Sequence, residues 1–91
     1  MNAIYNIDTK TLNEALRIDL ELLVDGVDFS KMTIHSDENG LYIESKIEDI
    51  LTIVREIGKL SSITEESILR KYFMHVNFED SYISFIRNDY K

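Results

Sequence analysis

The stretch from Met32 to Ser45, MTIHSDENGLYIES, alternates apolar and polar residues on both sides of Asp37-Glu38-Asn39-Gly40. Period-two alternation around a turn-forming cluster marks a β-hairpin, because successive strand side chains point to opposite faces. Gly40 supplies the positive φ that such a loop needs at its end. With these four residues as the loop, Ser36 faces Leu41, His35 faces Tyr42 and Ile34 faces Ile43. That register gathers Met32, Ile34, Leu41 and Ile43 on one face. It leaves Thr33, His35, Tyr42 and Glu44 on the other. A slip of one residue would mix the two faces, so the pattern selects its own pairing. The apolar face must be covered by the rest of the chain.

The flanking segments supply candidates for that cover. Ala3 to Asp8 alternates and reads as a short strand. Thr11-Leu12-Asn13-Glu14 fits a capping box, which predicts a helix over residues 11–25. Its apolar positions are Leu12, Ala15, Leu16, Leu20, Leu22 and Leu23, continued by Val27, and Gly26 can end it in the left-handed conformation. A second capping box, Ser45-Lys46-Ile47-Glu48, opens a helix over residues 46–60, with Ile47, Ile50, Leu51, Val54, Ile57 and Leu60 as its stripe. Of these, Ile50, Leu51, Val54 and Ile57 are expected to bury against the sheet. A shorter helix is expected over residues 64–71, with Glu65 and Glu66 complementing its dipole.

A second hairpin follows. Met74, Val76 and Phe78 alternate with His75 and Asn77, and Tyr82-Ile83-Ser84-Phe85-Ile86 comes after Glu79-Asp80. Pairing Val76 with Ile83 and Met74 with Phe85 makes one apolar face; His75 with Ser84 and Asn77 with Tyr82 make a polar one. The competing reading continues the third helix through Val76. The expected fold class is α+β, with residues 1–91 as a single domain. Its antiparallel sheet holds two hairpins and an N-terminal strand, packed against two longer helices and one short one.

Bulk properties narrow the function. A chain of 91 residues buries roughly 60–65% of its unfolded surface, enough for one core. The absence of cysteine excludes disulfides and thiolate zinc sites, and with the lack of a signal-like N-terminus it favours the cytoplasm. No apolar run approaches the ~18 residues of a membrane span. The net charge is −7, and all of the imbalance lies in residues 1–49, where eleven acids meet four bases; residues 50–91 hold six of each. A surface of that sign opposes direct nucleic-acid binding and suits a basic partner.

No catalytic or cofactor pattern emerges. His35 and His75 are isolated, and neither neighbours a nucleophile motif. With Glu44 beside His35 they make only a sparse metal-ligand set. Setting Gly40 at the sixth position of a calcium loop puts His35 first and Lys46 twelfth, where oxygen ligands are needed, so no calcium loop forms. No cofactor and no enzymatic activity are expected.

The order helix, turn, helix, hairpin over residues 46–87 parallels a winged helix. Against it, Glu65, Glu66, Glu79 and Asp80 would stand at the phosphate contacts. The favoured expectation is a small acidic inhibitor, such as an immunity protein, that blocks the basic site of a nuclease toxin or other nucleic-acid enzyme. A winged-helix-like regulator and a non-catalytic assembly subunit are the alternatives. The expected partner-binding residues are Asp37, Glu38, Tyr42, Glu44, Glu48 and Asp49, with Tyr42 as the aromatic anchor. Tyr42 and Tyr82 both fall on polar hairpin faces, each beside a histidine position.

Overall fold

A computed structural model describes residues 9–59 and 68–88. The elements are helix α1 (Thr9–Leu23), strands β1 (Thr33–Asp37) and β2 (Gly40–Glu44), helix α2 (Ile47–Gly58), and strands β3 (Tyr72–Asn77) and β4 (Tyr82–Arg87). Short 3-10 turns at Phe29–Lys31 and Ile68–Lys71 lead into β1 and β3. The fold is α+β, with the strands in one antiparallel sheet of order β1-β2-β4-β3. The expected strand at residues 3–8 and most of the expected third helix lie outside the described residues; its last four are the second 3-10 turn.

Both hairpins pair as their alternation dictates. Ser36 faces Leu41, His35 faces Tyr42 and Ile34 faces Ile43. Val76 faces Ile83 and Met74 faces Phe85, so residues 72–77 are strand and not a continued helix. The first loop is tighter than four residues, because Asp37 pairs with Gly40 and leaves only Glu38 and Asn39 between them. Asp37 Oδ1 closes it by accepting the backbone N–H of Asn39 at 2.8 Å and of Gly40 at 3.1 Å. In the second loop Asn77 Oδ1 accepts the N–H of Asp80 at 2.8 Å, and Ser81 takes a positive φ of 58°.

The two hairpins are joined where β2 pairs with β4, from Gly40 opposite Ile86 to Glu44 opposite Tyr82. Gly40 is needed at this seam. A Cβ there would collide with the backbone carbonyl of Phe85. Its φ of 154° is also one that a larger residue adopts only with strain.

Leu41, Ile43, Ile83 and Phe85 bury on one face of the sheet, in a single cluster with Leu12, Leu16, Leu20 and Val24 of the first helical segment and Ile50, Ile53 and Ile57 of α2. The helices differ from expectation in detail. Helix α1 already covers Thr9, the first described residue, so Thr11 lies inside the helix and not at the expected N-cap position. Leu12 and Asn13, expected in the first turn, are both buried and lie within the helix. The helix ends at Leu23, and Gly26, at φ 90°, turns the chain beyond it. Leu22 is 77% exposed, because the line of contact runs through Leu12, Leu16 and Leu20 instead.

In α2 the cap residue is Lys46, without a side-chain cap bond; the Ser45 hydroxyl donates to Asp49 Oδ2 at 2.7 Å instead. The buried line is Ile50, Ile53 and Ile57 at i, i+3, i+7. Leu51 sits one position around the helix and is 48% exposed, and Val54 is half-buried. Met74 and Phe78 are exposed as well. They belong to the edge strand and its loop, where the sheet has a neighbour on one side only.

Among the described residues, one polar side chain lies in the core. Asn13, on α1, is 2% exposed. Its Nδ2 donates to Ser36 Oγ at 2.8 Å, to the Asp37 carbonyl at 2.9 Å and to the Gly40 carbonyl at 3.1 Å. With two hydrogens and three acceptors, one bond is shared. Its Oδ1 accepts the Tyr72 hydroxyl at 2.6 Å.

Two stability predictions follow from this packing. Ile53→Ala should cost about 2–5 kcal/mol, whereas Leu51→Ala should cost under about 1 kcal/mol. Equal losses in chemical denaturation would show that α2 seats on a different line. Asn13→Leu should destabilise by about 1–3 kcal/mol, since it removes the amide's bonds to the Gly40 carbonyl and the Tyr72 hydroxyl from the core at once. Tyr72→Phe, which leaves the Asn13 Nδ2 bonds to Ser36, Asp37 and Gly40 in place, should cost less than Asn13→Leu in the same assay. The reverse order would deny the amide its central place.

Candidate protein-binding face

Because every strand alternates, the face of the sheet away from the helices is defined by register. Its rows run His35–Tyr42–Ser84–His75, Thr33–Glu44–Tyr82–Asn77, and Asp37–Gly40–Ile86–Phe73. No described residue outside the sheet is buried with this face; the core cluster belongs entirely to the other side.

An aromatic band crosses all four strands. Tyr42 and Tyr82 pack with ring centroids 5.0 Å apart at a 39° tilt. His35 lies 6.0 Å from Tyr42, and His75 lies 6.1 Å from Tyr82. These are favourable tilted contacts between rings. They hold Tyr42 half-buried in the middle of the band. The histidines stand on the two edge strands with both tyrosines between them, about 14 Å apart by strand spacing. They therefore do not share a ligand, and among the described residues no group of three or more His, Asp or Glu could hold a metal.

Of the outward positions in these rows, Asp37 and Glu44 are acidic and none is Lys or Arg. The charge acts on the band. Partial burial raises the pKa of Tyr42, and the negative charge of Glu44, then Tyr82 and Asp80, raises it further. The phenol is thus held neutral, with its O–H available as a donor.

The six residues expected at the interface divide among several places. Asp37 and Tyr42 line a recess above Gly40 with His35, Asn39, Ser84 and Ile86. Glu38 is exposed at the hairpin tip. Glu44 and Asp49 line a second depression at the other end of the hairpin, with Asp28, Lys31 and Lys46, so three carboxylates meet two ammonium groups there. Glu48 is exposed on α2, in the helix layer. Tyr42, Glu44 and Asp37 thus share the outward face, while Glu48 and Asp49 belong to the other layer. Tyr82, Ile86 and Phe73 complete the face and were not among the expected interface residues. Only the β2–β4 pairing brings Tyr82 against Tyr42.

Comparison with protein-family models, with curated proteins and with solved structures finds no match for this chain. Among the described residues, no helix is long and apolar enough to cross a membrane.

The charge environment of Tyr42 can be checked directly. Its raised pKa means that folding favours the neutral phenol. The stability this gives is complete below the ordinary tyrosine value of 10.0 and is lost as pH rises through the folded value. Glu44→Gln should move the Tyr42 titration down towards 10.0, followed by carbon-detected NMR of the ring. An unmoved midpoint would show that Glu44 does not act on this ring.

Proposed function

We propose that this chain is a small acidic binding protein. It uses the outward face of its sheet to cover the basic site of a protein partner, of the kind a nuclease toxin or other nucleic-acid enzyme presents. The observation that carries this reading is the Tyr42–Tyr82 pair at the centre of a face whose outward strand positions include Asp37 and Glu44 and, among the described residues, no Lys or Arg. Tyrosine is enriched at binding hot spots because it offers a large rigid surface with a polar tip. A site built to grip phosphate must be cationic, so an acidic face is steered onto it and finds complementary contacts there.

The winged-helix alternative gains less support. The second hairpin is joined to the first in one sheet and does not stand free as a wing. Its loop carries exposed Glu79 and Asp80.

The test begins with affinity capture from the source cell. The captured protein is then purified, and its association rate is measured against ionic strength. A basic nucleic-acid enzyme inhibited at one-to-one stoichiometry is the expected partner. Tyr42→Ala combined with Tyr82→Ala should abolish inhibition. Asp37→Lys with Glu44→Lys should slow association by about tenfold or more at low salt and flatten the salt dependence. Circular dichroism controls for folding. Unchanged inhibition by both variants, or submicromolar salt-sensitive binding of the wild type to duplex DNA, would overturn the reading.

A further inference from the structure

A recess lies above Gly40 on the outward face. It encloses about 320 Å³. Tyr42 and His35 line it from the aromatic band, and Ile86 lines it from β4. Asp37 stands at the hairpin end. Gly40 contributes no side chain between them, and the seam forbids one there. The recess therefore combines an aromatic wall, an aliphatic wall and a carboxylate.

The carboxylate is only half used. Asp37 Oδ1 accepts the two turn amides, while Oδ2 has no hydrogen-bond partner among the described residues. No Lys or Arg lines the recess to neutralise it.

We infer that this recess receives an arginine side chain presented by a basic segment of the partner, with Tyr42 beneath the guanidinium plane and Asp37 as its carboxylate acceptor. The inference rests on the proposed binding role and names the group that the face selects. Charge complementarity decides the occupant: among the described residues no cation shares the recess with the Asp37 carboxylate, and Lys10, which lines a separate depression with Ser36, Asp37 and Glu38, forms no salt bridge with it. Shape decides between the cations. A planar guanidinium stacks on a ring and donates to a carboxylate at the same time, whereas lysine's ammonium is a compact, strongly hydrated point charge. Ile86 offers an apolar surface to the methylene stem.

The probes are three short blocked peptides, identical except for a central arginine, lysine or citrulline. Each is titrated into the isotope-labelled full chain and followed by amide NMR. The arginine peptide should shift Gly40, Tyr42 and Ile86 with millimolar affinity. Lysine should bind at least about fivefold more weakly, and the neutral citrulline should leave these signals unmoved. Asp37→Asn keeps the oxygen that accepts the turn amides and removes the charge. Both it and Tyr42→Leu should weaken the arginine peptide by about fivefold or more.

Equal binding of lysine and arginine would overturn the assignment of arginine. Shifts centred elsewhere, or none at all, would overturn the recess as the site. These failures are distinct from failure of the binding role. If the peptides are silent here while the Tyr42/Tyr82 double variant still abolishes inhibition, the face stands and the recess falls. If neither responds, both fall.

Discussion

Among the described residues Asn13 is the one buried polar or charged residue, and its amide ties α1 to the sheet at two places. It reaches from α1 to Ser36, Asp37 and Gly40 at the closed end of the first hairpin, and to Tyr72 where β3 begins. An apolar residue in its place would remove all of these bonds at once, two of them buried. A core made only of leucine and isoleucine tolerates sliding, whereas an amide with fixed donors and acceptors accepts one arrangement. The helix layer is thereby located against the sheet along the strand direction. The turn carbonyls of the first hairpin are held in place from behind.

That location bears on the outward face. Asp37 and Gly40 present their carbonyls inward to Asn13, while the Asp37 carboxylate closes the turn and borders the recess. The same few residues serve the core on one side and the candidate site on the other. Binding groups on a rigid sheet are held more accurately than groups on loops, and here the loop itself is anchored from below.

What could be read from the sequence follows the range of the interaction. Each hairpin register depends on alternation within about a dozen residues, and both appear as the pattern dictates. The helix faces were less legible. Residues 47–57 offer apolar side chains on more than one line, and only contact with the sheet selects Ile53 over Leu51. Asn13 reads as part of a capping box, yet its place between Leu12 and Leu16 on the apolar stripe was a signal of burial. The seam between β2 and β4 leaves no mark in local pattern, because it joins residues far apart in the chain. Tyr42 and Tyr82 were recognisable one by one as tyrosines on polar faces. Their contact was not, and with it went the shape of the site.

The seam also sets when the face exists. Each hairpin closes over a short loop and can form from its own segment. Gly40 and Ile86, by contrast, meet across the whole of α2 and the second 3-10 turn. Closing so long a stretch costs entropy that is recovered only when the core assembles. The aromatic band has half its rings on each hairpin, so neither hairpin alone carries it. Recognition is in this sense a property of the finished fold. A partner that gripped Tyr42 and Tyr82 together would also clamp the two halves of the sheet, so occupancy of the proposed site would add its own free energy to the stability of the chain.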